Sequence, residues 1–472
     1  MPPKESADLV IEPRWVLPIA PVNTVLIDHA VAVTAGRIVA VAPVAEIDAR
    51  FEPRERVARR THALLPGLVN AHTRAATTLL RGLPVYGPRE RWMRDTVLSA
   101  ARGCMSPDFV REGTKLAIAE MLRAGITAFS DMYLFPQEAA RAASAARVRA
   151  AIGLPVTDGP TPWAESATGH LAKAEELWDE YSSNPWVSLY FAPHDAFGAD
   201  DPTLTRVRRV ADELDARVAM YLAPGHIHEN HTGGRTPLAR LQTLGLLGPG
   251  FTAIQLGGMD AEELDIAAAS GIAVVACQQA HLRLGEGLCR IDALEARGVV
   301  VGLGTDSPVS VGAMDILAEA RMAALLSGLS DGGRATAASR DALARASAGA
   351  PTSPSGEPPA VEELHGSMTL AERVLHRATL GGATALGMNA LIGSIEVGKA
   401  ADLVCFDLSA LACQPDGPRT ADALVFGATR ANVSDVWTSG RAAISDGHLL
   451  TFDEQELLAL TQRWRPRISG GA

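Results

Sequence analysis

Between residues 65 and 385, short apolar runs alternate with amphipathic stretches, and this alternation limits the fold more than any other feature of the chain. The runs end at Leu68-Val69-Asn70, Thr127-Ala128-Phe129, Leu189–Ala192, Val218–Tyr221, Ala253-Ile254, Ala273–Ala276 and Val300–Leu303. Stretches such as Glu112–Arg123, Leu204–Ala216 and Ala261–Ala269 lie between them and read as helices. Strands joined by crossover helices pair in parallel, which predicts a (β/α)₈ TIM barrel of the α/β class. In such a barrel the reactive groups stand just past the C-terminal ends of the strands. Polar residues hold those positions: His72, Asp131, His194, Tyr221, Gln255, His281 and Asp306.

Both chain ends are rich in β-type sequence instead. Val31–Val41 is two apolar runs broken at Ala35-Gly36, a hairpin signal, and similar composition returns at Ala401–Asp407 and Val433–Arg441. Two distant β-rich ends can pair into one small β-sandwich domain. The expected organisation is therefore residues 1–64 and 386–472 in the flanking domain and 65–385 in the barrel. Within the barrel, 327–364 is rich in Ala, Ser, Gly and Pro and includes Thr352–Pro359. It reads as a flexible insertion, with an active-site lid as the alternative.

Composition narrows the function classes. Of 472 residues, 47% are hydrophobic and 21% charged, enough to build a large core. A net charge of −11 argues against a nucleic-acid partner, which calls for a basic face. Five scattered cysteines without a CxxC pair fit reduced thiols. The opening MPPKESADLVIEP lacks the apolar run of a secretory signal, and no apolar run is long enough to span a bilayer. The expectation is a soluble cytoplasmic protein without a membrane partner.

Pro66-Gly-Leu-Val-Asn-Ala-His72-Thr-Arg74 resembles the PGLVNAHTH signature of the amidohydrolase superfamily. The nearest likeness is to the branch of methylthioadenosine/S-adenosylhomocysteine deaminases and triazine hydrolases. Leu80-Arg-Gly82, Ala119–Gly125, Asp131-Met-Tyr133, Ala192-Pro-His194, Leu303-Gly-Thr-Asp306, Ile392–Lys399 and Ala401–Val404 extend it along the chain. The resemblance implies a small-molecule substrate, a homodimer and one divalent metal. The ligands it implies are two histidines in HxH after the first barrel strand, histidines after the fifth and sixth, and an aspartate after the eighth. A glutamate near the fifth-strand histidine moves the proton.

Carried over position by position, His72 and Asp306 are kept and the rest is replaced. The second histidine of HxH is Arg74, the fifth-strand histidine falls on Tyr221, the glutamate on Pro224 and the sixth-strand histidine on Gln255. A guanidinium has no lone pair to give a metal. It would be repelled by a dication ~4 Å away by roughly 8 kcal/mol at an effective dielectric of ~20. Arg74 could instead pair with Asp306, or point at solvent or an anionic substrate. The following Gly225-His226-Ile-His228-Glu229-Asn-His231 reads as a polar loop, as a relocated metal site, or as a loop over the pocket.

These substitutions lead to the expectation of no cofactor and a metal-independent enzyme. It would do acid/base chemistry (cyclisation, isomerisation, elimination or condensation) on a heterocyclic or nucleoside-like molecule. His72, His194, Tyr221 and Asp306 are the candidate acids and bases; Arg74, Trp92, Asp131, Gln255 and His281 are the candidate substrate contacts. The first alternative is a metal-dependent hydrolase or deaminase acting on C–N bonds. It would hold one zinc or iron ion through a rearranged set: His72, Asp306, His226 and His228. The second alternative is an inactive binding or partner subunit.

Overall fold

The computed structural model describes residues 3–85, 89–194, 198–222, 236–330, 368–415 and 419–469. The amino-terminal strands are β1 (Glu5–Val16), β2 (Leu26–Ile27), β3 (His29–Thr34), β4 (Arg37–Pro43) and β5 (Phe51–Pro66). The barrel strands follow: β6 (Leu68–Thr73), β7 (Ile126–Asp131), β8 (Arg149–Val156), β9 (Val187–Pro193), β10 (Arg217–Tyr221), β11 (Phe251–Ile254), β12 (Ala273–Ala276) and β13 (Val300–Leu303). The chain ends with β14 (Leu403–Asp407), β15 (Val433–Thr438), β16 (Arg441–Ser445) and β17 (His448–Leu449).

Strands β6 to β13 pair in sequence order, each parallel to the next. The ring closes where Thr73 bridges Asp306 in parallel register and the Asp306 N–H donates to His72 O at 3.1 Å. This is the expected amidohydrolase-type barrel. Its outer helices start where the sequence offers caps: Ser106 accepts from Phe109 N ahead of Pro107–Arg123, and Asp200 from Thr203 N ahead of Asp201–Glu213. Ala261–Ser270 starts on Asp260 and stops at Gly271, whose φ of 66° suits glycine.

β8 is absent from the strands read in the sequence. Its alanines continue an Ala-rich helix, Pro136–Ala146, so local propensity favours extending that helix. Arg147 ends the helix instead in the left-handed region, at φ 56°. All eight residues of β8 are then buried, as a parallel strand covered on both faces requires.

The two chain ends meet in one connected nine-stranded sheet, ordered β17-β16-β15-β14-β5-β1-β3-β4 with β2 on β1. The long β5 pairs antiparallel with β14 and parallel with β1, joining the ends. A buried ion pair ties this domain to the barrel: Arg149 Nε lies 2.7 Å from Asp402 Oδ2. Residues 327–330 of the expected insertion complete the helix Ile316–Ser330, and 331–364 lie outside the described residues. Among the described residues no helix is long and apolar enough to cross a membrane.

Candidate active site

The closing seam of the barrel builds the site. Asn70 Nδ2 donates to Thr305 Oγ1 at 2.9 Å while Thr305 N donates to Asn70 Oδ1 at 3.0 Å. Thr73 Oγ1 donates to Asp306 O, and the hydroxyls of Thr77 and Ser307 lie 2.7 Å apart. These bonds hold the last residues of β6 against those following β13. Close approach also needs Gly304, where a Cβ would stand 2.8 Å from His72 N. The outcome is His72 Nε2 at 3.5 Å from Asp306 Oδ1, with the imidazole fully buried. Asp306 and Gln255 both hold left-handed φ, 58° and 59°, a strain that tends to gather at working sites.

Arg74 lies against this pair. Its Nε is 3.6 Å from Asp306 Oδ1, and its guanidinium carbon is 5.7 Å from the centre of the Tyr221 ring. Burial would raise the Asp306 pKa, but the His72 contact and the Arg74 charge outweigh it and hold the carboxyl below the usual range. Burial keeps His72 below the ordinary imidazole value. Asp131, ending β7, accepts from Ala75 N at 2.7 Å, and burial pushes its carboxyl up to about 7. Four of the expected residues (His72, Arg74, Tyr221 and Asp306) therefore form one cluster. Gln255 is fully buried nearby in the sheet, at the end of β11, and neither amide atom finds a hydrogen-bond partner among the described residues.

Other expected residues fare differently. His281 is buried on the helix Gln278–Leu284, after β12. His194 follows β9 and is exposed, its N–H donating to Val156 O. Trp92 packs in the outer core, its indole N–H on Pro84 O at 2.9 Å, so its geometry is that of a structural residue. Pro224, His226, His228 and His231 lie outside the described residues.

Glu286 escaped the sequence reading. The Tyr221 hydroxyl donates to its Oε2 at 3.1 Å, which brings a carboxylate to the cluster. The available signal was Gly285-Glu286-Gly287, an acid between two glycines past a barrel strand. Both glycines take positive φ, 71° and 79°.

Donor chemistry tests how well a metal fits. Two ligands ~2.1 Å from a tetrahedral zinc stand about 3.4 Å apart, and His72 Nε2 and Asp306 Oδ1 are at 3.5 Å. That pair fits. No group of three or more His, Cys, Asp or Glu able to hold a metal occurs among the described residues, and Arg74 cannot ligate. The described residues thus supply two donors and not a closed set.

The barrel, its seam and this cluster define an amidohydrolase. A model of the amidohydrolase family matches residues 63–353 and 360–443, and the chain belongs to that family of enzymes. It is 32% identical to a 5-methylthioadenosine/S-adenosylhomocysteine deaminase of Teredinibacter turnerae over 98% of each chain. A relative of the same description in Saccharophagus degradans is 30% identical over 98% of each. The crystal structure of an adenosine deaminase from Xanthomonas campestris with bound zinc aligns with a TM-score of 0.89 and 38% identity. It covers 99% of this chain and 100% of that one. An atrazine chlorohydrolase from Arthrobacter aurescens, complexed with zinc, shares the fold at a TM-score of 0.81 and 20% identity over 98% and 100% of the two chains.

These likenesses overturn the expectation of a metal-independent enzyme without a cofactor. Full-length relatives are deaminases by name, and one at 38% identity is described with zinc. The error lay in equating replaced positions with a lost metal. A position-by-position count records donors removed but is blind to donors brought from other segments, and the two retained donors still face each other.

Proposed function

We propose that this protein is a metal-dependent hydrolase of C–N bonds, a deaminase of adenosine-like compounds. His72 and Asp306 are two of its metal donors, and other segments complete a rearranged set. The observation that carries the reading is the His72–Asp306 spacing of 3.5 Å, kept in a chain similar along its whole length to deaminases. A bound divalent ion supplies water with a pKa near 7 instead of about 15.7. The chain's own groups do the remaining work. Asp306 is held ionised, the form that can donate to a metal. Glu286, linked to the Tyr221 phenol, offers a carboxylate in place of the family glutamate that falls on Pro224. Asp131, with its carboxyl near 7, can hold or release a proton around neutral pH.

Elemental analysis of untagged protein, run beside an ammonia-release assay, tests this. The substrates are adenosine, 5-methylthioadenosine and S-adenosylhomocysteine. About one equivalent of zinc or iron is expected, as for a single catalytic site, with ammonia release lost to chelator and restored by metal. Metal-free protein that stays inactive in excess zinc would sink the reading.

A further inference from the structure

Part of the interior of this barrel is lined by small side chains. Ala71, Ala128, Ala151, Ala192 and Ala219 belong to the buried cluster inside it, where barrels of this kind usually stack Val, Ile and Leu in layers. The space is left partly unfilled. A cavity of about 440 Å³ extends from the N-terminal ends of the strands, at Ser188, Arg217 and Thr252, inward to Ala71 and Ser130. It therefore opens on the face opposite His72 and Asp306. Its inner end is the Tyr190 phenol, 2.9 Å from Ser130 Oγ and 3.3 Å from Asp131 O. Gly153 makes room for that ring, since a Cβ there would stand 2.9 Å from it.

Arg217 borders this cavity. Its Nη2 donates only to neutral oxygens, Thr252 Oγ1 at 3.3 Å and Ala385 O at 3.1 Å. Two other buried arginines of the barrel are treated differently. Arg149 pairs with Asp402 at 2.7 Å, and Arg377 with Glu295 Oε2 at 2.6 Å. Arg217 is half-buried with no ion pair among the described residues, and burial alone shifts its pKa, downward. A cation withdrawn from water without a counter-ion is costly, and an incoming anion would offset that cost. Asp215 stands at the same rim and makes no ion pair with it, which disfavours a doubly charged head group. Trp178 and Tyr181 add flat apolar surface beside the opening.

We propose that the N-terminal end of the barrel holds a second binding site, for a small aromatic monocarboxylate, with Arg217 as its counter-ion. The cavity has the volume of an ordinary small-molecule pocket. The site is independent of the reaction assigned to the opposite face, because binding here is read without turnover.

Benzoate and inorganic phosphate, titrated separately into the full-length protein by calorimetry, test it. Benzoate is expected to bind at one site with a Kd under ~1 mM, and phosphate at least tenfold more weakly. Arg217→Met should weaken benzoate at least tenfold. Ser188→Trp, at an exposed position on the wall, should block the cavity without endangering the fold and abolish binding. If Arg217→Met does not fold, Ser188→Trp decides alone. No benzoate heat at ~10 mM, tighter phosphate binding, or benzoate binding unchanged in Ser188→Trp would each overturn the proposal.

Discussion

Arg74 Nε stands 3.6 Å from Asp306 Oδ1, joining by charge two residues more than two hundred positions apart at the seam where the barrel closes. The side chains are only 13% and 8% exposed, so each charge helps compensate the other away from bulk water. The distance is that of an ion pair without a formal hydrogen bond, and Arg74 Nε is without one among the described residues. Breaking a buried pair from one side costs about 3–5 kcal/mol. The wider separation here places Arg74→Met and Asp306→Asn at the lower end of that range. In urea denaturation the double variant should fall short of the sum of the singles by at least ~0.5 kcal/mol. Additive losses would mean the two charges are compensated elsewhere.

The gathering of several candidate residues at one end of the barrel could be read from the chain, and the reasons other features could not are physical. The placement of His72, Arg74 and Asp306 was legible because residues at and just past the C-terminal end of each barrel strand gather at one face, whatever the loops do. The pairing of the chain ends was legible from their β-rich composition. β8 was not, because alanine favours helix in isolation and only burial on both faces turns Arg149–Val156 into a strand. Glu286 was not, because its place beside Tyr221 depends on two left-handed glycines and on the path of the helix before it. The core packing of Trp92 was not legible, since an aromatic looks the same in sequence whether it lines a pocket or fills the core.

Removing the guanidinium should favour metal. At ~4 Å a unit cation opposes a dication by roughly 8 kcal/mol at an effective dielectric of ~20. Arg74→His deletes that charge and adds a donor beside the His72–Asp306 pair. Zinc affinity, measured by competition with a chelating dye, should rise at least tenfold, whereas His72→Ala and Asp306→Asn should lower it. Unchanged affinity in Arg74→His would show that the arginine already lies out of the ion's reach.

Glu286 should matter to turnover more than to folding. It is partly exposed, and its carboxylate accepts from a phenol that other contacts also position. Loss of a positioned proton-transfer group ordinarily costs about 10²–10⁴ in rate. Glu286→Gln should therefore lower kcat by at least ~100-fold at a melting temperature close to that of the unaltered protein. Tyr221→Phe, which removes the phenol hydrogen bond and leaves the carboxylate itself, should lose less. A Glu286→Gln enzyme of full kcat would remove this residue from the reaction.

Asp131 should leave a signature in the pH dependence of stability. Burial raises its carboxyl from 3.8 to about 7 in the folded protein, and the Ala75 N–H and Arg74 charge only partly oppose that. Between those values the folded state holds a proton that the unfolded chain has released, so stability falls as pH rises from about 4 to 7. The contribution is full below about 4, where both states are protonated, and gone above about 7. With ~1.4 kcal/mol per pH unit, the integrated loss is at most about 4 kcal/mol. Asp131→Asn keeps an oxygen for the Ala75 N–H while removing the titration. Urea unfolding of both proteins at intervals from pH 4 to 8 should show the difference between them drifting in favour of the asparagine form as pH rises, then levelling off above about 7. A difference that stays constant across the range would mean Asp131 is ionised throughout in the folded protein, with Arg74 stabilising its charge more strongly than burial penalises it.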